Sequence, residues 1–263
     1  MGYHPSESVV QRLDRPDART FARRCVDAGR PGLLRGVVPS WPAASWRLDG
    51  LASRLGAREV SPVVLTDGRF VVDLREGVRV KPMPVAEYLA HLAAPGAPPY
   101  YLRLPLEGDL AALSREAPVD AYCVGSVAQK RNLWVGAAGT CSDLHFDMTH
   151  NLVAQISGRR RVTLFAPDQR VALYPHPLRS LNAHHSQVRL DAPDLARFPR
   201  FAEARGEAVA LEAGELLFIP RGWWHHFESL APSIAVNAFW ATPAHVPALL
   251  AARAAWTLAA VRT

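Results

Sequence analysis

The sequence predicts a mainly β domain, folded as a jelly-roll sandwich with helices on its N-terminal side and at its C-terminal end. Short apolar stretches bounded by glycine, proline and aspartate recur between residues 100 and 240, as is typical of strands joined by turns. Apolar residues three and four apart, typical of helices, occur near 18–28, 85–92 and 244–261. With 263 residues, 49% of them hydrophobic, the chain is long enough for one domain of this kind.

Three regions follow from this pattern. Residues 1–95 are expected to form a flank of helices and strands, 96–242 the barrel, and 243–263 a C-terminal helix. Individual strands are expected near 62–65, 69–74, 100–104 and 133–136. The terminal helix has more apolar side chains than a lone surface helix needs, so it predicts either a homodimer or packing of this helix back on the barrel.

The strongest chemical signal is the pair His145 and Asp147 together with the distant His225. Side chains two apart on a strand share a face, so His145 and Asp147 can reach one cation together. The 80 positions between His145 and His225 leave room for several strands before a sheet closes on its starting strand. Two imidazoles and one carboxylate on one side of an octahedron are typical of non-haem Fe(II) oxygenases.

The surrounding turns support this assignment. Residues 151–165 predict two strands around a Ser-Gly turn, and 214–220 predict a turn and an apolar strand that leads to His225. The Pro-Arg-Gly corner before His225 could shift the register by one residue, which leaves His226 as the alternative ligand.

Several motifs in this order resemble those of the Jumonji C and cupin-like Fe(II)- and 2-oxoglutarate-dependent oxygenases, and in particular their asparaginyl hydroxylases. The resemblance covers nearly the whole chain. Its motifs are 31–36, 41–43, 100–102, 145–147, 155–158, 173–175, 223–226 and 236–237. It implies a double-stranded β-helix, the cupin-like jelly roll.

The resemblance also implies the roles of individual residues. Fe(II) would be held by His145, Asp147 and His225. The lysine that binds the distal carboxylate of 2-oxoglutarate in the family is matched by Arg160, which is a departure because lysine and arginine differ in size and geometry. Arg159 and Arg161 stay open as alternatives, since neighbouring strand residues face opposite ways. The other residues implied to contact the co-substrate or orient the metal-bound groups are Tyr101, Ser142, Asn151 and Asn237.

The resulting expectation is an enzyme that uses Fe(II), 2-oxoglutarate and O₂ to hydroxylate a C–H bond, most naturally on a peptide or protein side chain. A small-molecule or tRNA-base hydroxylase is the alternative within the enzymes, and a metal-binding cupin module without catalysis is the alternative outside them. Substrate contacts are expected from the loop around 176–187, where His184 and His185 could instead be solvated, and from 103–132.

Composition limits the partners. The net charge is +6, but the chain has only two lysines, Lys81 and Lys130, and its arginines are spread along the sequence. This distribution does not favour nucleic acid as a partner, although RNA stays open. Three cysteines without paired spacing are typical of reduced thiols and favour a cytoplasmic location. No apolar run approaches about 18 residues, so no membrane span is expected.

Overall fold

The computed structural model describes residues 8–65, 69–70, 79–94, 100–178, 180, 182–247 and 249–250. The strands are β1 Gln11–Asp14, β2 Gly32–Arg35, β3 Glu59–Val60, β4 Val63–Val64, β5 Arg69–Phe70, β6 Met83–Pro84, β7 Tyr100–Pro105, β8 Ala128–Gly136, β9 Cys141–Ser142, β10 His145–Phe146, β11 His150–Ser157, β12 Arg159–Phe165, β13 Gly206–Glu212, β14 Leu216–Ile219, β15 Trp224–Ser229 and β16 Ser233–Ala241. The helices are α1 Ala18–Phe21, continued by a π-helical turn Ala22–Val26, α2 Leu48–Leu55, α3 Val85–Ala93 and α4 Ala111–Glu116.

Two sheets form the double-stranded β-helix. Within the described residues, the larger sheet has the order β1-β2-β14-β11-β16-β8-β7-β4, and the smaller has the order β13-β12-β15-β9-β5, with β10 added on β15. The central pairs β14-β11, β11-β16 and β16-β8 are antiparallel, as are β13-β12 and β12-β15. The predicted jelly roll is therefore confirmed. The N-terminal region supplies edge strands to both sheets, because β1, β2 and β4 join the larger one and β5 the smaller.

The core lies on both faces of the larger sheet. Its outer face packs against the helices, where Phe218 and Trp240 meet Phe21 and Tyr88 in one apolar cluster. Its inner face meets the smaller sheet through a second cluster that includes Val153. This alternation follows from the strand period of two, because adjacent residues of β11 face opposite layers.

The β11–β12 hairpin depends on a glycine. Gly158 has φ +78°, in the left-handed region, and a Cβ there would overlap the Pro232 carbonyl oxygen and crowd Ser233. The predicted Ser-Gly turn between two strands is confirmed, and it sets which residues of β12 point between the sheets.

Several sequence predictions can be compared with these elements. The helices predicted near 18–28 and 85–92 are present, as are strands at 63–64, 100–105 and 128–136. The short helices α2 and α4 were not predicted, because each is shorter than the window over which a helical period emerges. Residues 71–74 and most of the predicted C-terminal helix lie outside the described residues, so the homodimer stays a prediction. Among the described residues, no helix is both long and apolar enough to cross a membrane.

Candidate metal and co-substrate site

Two short strands bring the three predicted metal ligands together. β10 pairs with β15 so that His145 lies directly opposite His225, and Asp147 follows β10. One potential ligand atom from each residue lies within 4.8 Å of the other two. Asp147 Oδ2 is 3.4 Å from His225 Nε2. His226 points away from this group, since its Nδ1 lies 3.0 Å from the Ser142 carbonyl oxygen, so the geometry favours His225.

The backbone fixes how both imidazoles present their nitrogens. His145 Nδ1 lies 2.7 Å from the Asp143 carbonyl oxygen, and His225 Nδ1 lies 3.0 Å from the Trp223 carbonyl oxygen. A carbonyl oxygen can only accept, so each neutral imidazole carries its proton on Nδ1. The Nε2 atoms keep free lone pairs, which is the state in which histidine binds a metal.

The electrostatics also suit a cation. Burial raises the pKa of the Asp147 carboxyl, while His145 and a hydrogen bond from Asn151 oppose that rise. Burial lowers the pKa of His225 well below its usual value, and the charge of a protonated His145 would lower it further. A divalent cation would favour both the ionised carboxylate and the neutral imidazole.

A cavity of about 280 Å³ connects this group to Arg160. The Arg160 side chain points between the sheets and the residue is only 2% exposed. Its Nε donates to Ser233 Oγ at 3.2 Å, and its buried Nη2 has no hydrogen-bond partner within the described part of the chain. A buried guanidinium nitrogen without a partner is costly, so a carboxylate is the group that fits beside it.

The neighbouring arginines face the other way. Arg159 and Arg161 have side chains 53% and 54% exposed, and they form ion pairs with Glu212 and Glu228 at 2.7 and 2.9 Å. Among the three arginines that the sequence left open, only Arg160 lines the cavity.

Tyr101 and Ser142 also line the cavity. The Arg160 guanidinium carbon lies 6.0 Å from the centre of the Tyr101 ring. Burial raises the pKa of Tyr101, which keeps its hydroxyl protonated and able to donate. Ser142 Oγ accepts from the Phe227 amide at 2.9 Å. Beside them lies Thr140, which the sequence did not single out.

Asn151 and Asn237 form a hydrogen-bonded pair next to Asp147. Asn237 Nδ2 donates to Asn151 Oδ1 at 2.9 Å, and Asn151 Nδ2 donates to Asp147 Oδ2 at 3.2 Å. Two residues missed by the sequence analysis extend this group, because Asn132 and Trp134 both donate to Asn237 Oδ1. The sequence showed only that these two residues are two positions apart and so share one face of a strand. It did not show that both would donate to Asn237, which lies on a distant strand.

The loop histidines belong to the same cavity. His185 stacks on His145, with ring centres 5.2 Å apart and planes 18° from parallel, and the His184 carbonyl accepts from the Phe146 amide. Both are half-buried and line the cavity together with the exposed Arg103. The sequence left open whether these histidines lie at the site or in a solvated loop, and the structure places them at the site. Their contact with a substrate stays a prediction.

A double-stranded β-helix with two histidines and a carboxylate converging between its sheets defines the class as cupin-like. The family model described as a cupin-like domain matches residues 18–245, so the chain belongs to this family. It is 31% identical to lysine-specific demethylase 8 of Xenopus tropicalis over 89% of this chain and 53% of that protein. It is 29% identical to Jumonji C domain-containing protein 5 of Drosophila melanogaster over 89% of this chain and 60% of that protein.

A plant relative extends the likeness. The chain is 31% identical to lysine-specific demethylase JMJ30 of Arabidopsis thaliana over 85% of its length and 53% of the relative's. The chain spans about half the length of these curated relatives. It is thus a Jumonji C, cupin-like member of the Fe(II)- and 2-oxoglutarate-dependent oxygenases, and the predicted cofactors are those of this family.

Proposed function

We propose that the protein is a dioxygenase that hydroxylates a C–H bond on a peptide or protein side chain. The observation that carries this proposal is the convergence of His145, Asp147 and His225 in one cavity with Arg160, whose buried Nη2 has no hydrogen-bond partner among the described residues. Fe(II) bound there would couple oxidative decarboxylation of 2-oxoglutarate by O₂, giving succinate and CO₂, to insertion of one oxygen atom into the substrate C–H bond.

The protein's own groups have separate tasks in this proposal. His145, Asp147 and His225 would hold Fe(II), which would then have coordination positions left for the co-substrate and O₂. The guanidinium of Arg160 and the hydroxyl of Tyr101 bind the distal carboxylate of 2-oxoglutarate, with Ser142 on the same wall. Asn151 and Asn237 hold the orientation of Asp147.

The first test needs no substrate. Anaerobic titration of the Fe(II)-loaded protein with 2-oxoglutarate is expected to produce a visible metal-to-ligand charge-transfer band. Asp147→Ala should lose the band together with iron binding, whereas Arg160→Ala should lose 2-oxoglutarate affinity and keep iron. Iron binding without any band in the wild type would contradict the oxygenase proposal and favour a metal-binding module.

Lysine demethylation is the second candidate, because relatives with 31% identity are named lysine-specific demethylases. Both reactions begin with oxygen insertion into a C–H bond, but demethylation acts on an N-methyl group. Peptide libraries with and without methylated lysine, incubated with Fe(II), 2-oxoglutarate and O₂, separate the two by mass spectrometry. Gain of one oxygen atom on an unmethylated peptide supports hydroxylation, and loss of a methyl group supports demethylation.

A further inference from the structure

A chain of hydrogen bonds crosses three neighbouring strands and ends on the carboxylate of the triad. Asn132 and Trp134 on β8 donate to Asn237 Oδ1 on β16, at 3.1 and 2.8 Å. Asn237 Nδ2 donates to Asn151 Oδ1 on β11 at 2.9 Å, and Asn151 Nδ2 donates to Asp147 Oδ2 at 3.2 Å. All three asparagines are buried.

The sheet register explains why these side chains meet. Asn237 lies directly opposite Asn132 on β8 and opposite Val153 on β11. Asn151 is two residues from Val153 and therefore shares its face of the sheet. We call this hydrogen-bonded group the relay; its members are Trp134, Asn132, Asn237 and Asn151. Three of them line the cavity on the inner face of the larger sheet, and Asn132 reaches it through its hydrogen bond to Asn237.

The relay can run in only one direction. An asparagine amide can be flipped by half a turn, which exchanges its donor and acceptor. An indole N–H can only donate, so Trp134 requires an acceptor and holds Asn237 with Oδ1 toward β8. The donor of Asn237 then faces Asn151, whose oxygen accepts it, and the Asn151 donor is left facing Asp147.

We propose that Trp134 and Asn132 are positioning residues that set the orientation of the Asp147 carboxylate through this relay. If the relay were reversed, Asn151 Oδ1 would face a carboxylate oxygen, and two acceptors would repel each other. The inference rests on the proposed function, because it assigns the relay's purpose to a metal held by Asp147. It explains why β8 directs a buried amide donor and a partly buried indole donor toward Asn237, which a purely apolar barrel wall would lack.

Two donors share one acceptor, so the test is a double-mutant cycle. Trp134→Phe keeps an aromatic ring beside Tyr101, whose ring centre lies 5.2 Å from that of Trp134, and removes the indole donor together with one fused ring. Asn132→Leu removes the second donor and keeps a side chain branched at Cγ. Each single variant leaves one donor on Asn237 Oδ1, whereas the double variant frees the Asn237 amide to flip.

The measured quantity is the affinity for Co(II), followed by its visible absorption under anaerobic conditions, with the 2-oxoglutarate charge-transfer band on Fe(II) as a second readout. Removing an outer hydrogen-bond partner of a metal ligand costs about 10- to 100-fold in affinity, and we expect the double variant near the lower end. The fold-decrease in Co(II) affinity of the double variant should exceed the product of the fold-decreases of the two single variants. Trp46→Phe is the matched control, since its indole donates to Glu116 Oε2 at 2.8 Å in the helical layer.

Circular dichroism and thermal melting of the metal-free variants report folding. If the double variant fails to fold, Asn237→Asp is the deciding variant, because it keeps an acceptor for both β8 donors and replaces the donor to Asn151 by a second, ionisable acceptor oxygen. We expect this variant to bind Co(II) about tenfold more weakly or worse.

The relay is overturned if the folded double variant, or Asn237→Asp, binds Co(II) as the wild type does. It is also overturned if the two single losses simply multiply, or if Trp46→Phe loses as much affinity as Trp134→Phe. A wild type that binds no metal would contradict the proposed function itself, and this inference with it.

Discussion

Replacing Arg160 by methionine should have opposite effects on the metal-free protein and on its complex with 2-oxoglutarate. In the metal-free protein, Arg160 is 2% exposed and its Nε donates to Ser233 Oγ, but within the described residues its Nη2 has no hydrogen-bond partner and its guanidinium forms no ion pair. Removing a buried charge that lacks a partner is neutral or stabilising, so the free energy of unfolding should stay the same or rise by about 1 kcal/mol. Methionine can fill the space along the Tyr101 and Phe227 rings.

The complex should respond in the other direction. Each hydrogen bond to a charged group contributes about 1.5–3 kcal/mol, and truncating one partner of a buried charge pair costs about 2–5 kcal/mol. A loss of that size corresponds to roughly 30-fold to several-thousand-fold weaker binding of 2-oxoglutarate. Affinity for the metal alone should be unchanged, because Arg160 is not among the three converging ligands.

The assay combines three measurements on the same variants. Urea unfolding of the metal-free protein gives stability, Co(II) titration gives metal affinity, and anaerobic calorimetry of the metal-loaded protein gives 2-oxoglutarate affinity. Arg161→Met is the matched control, since Arg161 is exposed on the same strand and paired with Glu228. The reasoning is refuted if Arg160→Met binds 2-oxoglutarate like the wild type, or if Arg161→Met loses that binding.

Two further predictions concern stability. His150 is buried, and its burial, helped by His245 and Arg221, lowers its pKa from 6.5 to about 4. Between these values the unfolded chain binds a proton that the native state does not, so stability should fall as the pH drops from 6.5 to 4, by up to about 1.4 kcal/mol per pH unit from this group. His150→Phe should reduce that slope in urea titrations, and an unchanged slope would contradict the assignment. Gly158→Ala should cost about 2 kcal/mol or more, because it adds a backbone overlap to the strain of its positive φ. Gly139→Ala has the same φ of +78°, and no atom of the described residues lies within 4 Å of its added Cβ, so it should show the φ strain alone; equal losses of stability at both glycines would rule out the overlap.

The triad could be predicted from sequence because most of its geometry is local. His145 and Asp147 share a face through the strand period alone, and the Pro-Arg-Gly corner that precedes β15 is readable as a turn. Only the approach of His225 required long-range pairing, and a closed barrel makes such pairing a natural expectation.

Other parts of the site depend on the pairing register between strands, which could not be predicted from the sequence. Which of Arg159, Arg160 and Arg161 points inward depends on the phase of the pleat, and that phase is set by Gly158 and by pairing with β13 and β15. Trp134 could not be connected to Asn237 because their strands are a hundred residues apart in the chain. The pairing of β2 with β14 could not be predicted for the same reason, because β2 has only four residues and its partner strand lies far from it in the sequence.

One strand register relates the proposed metal ligand His225 to Arg160, the residue proposed to bind the co-substrate. On the pair β12–β15, His225 lies opposite Leu164 and Ser229 opposite Arg160, so four residues separate the two levels. At about 3.3 Å per residue, this places Arg160 about 13 Å along the strand from the level of the metal ligand. The arginine side chain covers part of that span, which leaves room for a short molecule with an acidic group at each end. A slip of β12 by one residue would turn Arg160 outward and present Arg159 or Arg161 instead, so the register that builds the barrel also selects the residue that can bind the co-substrate.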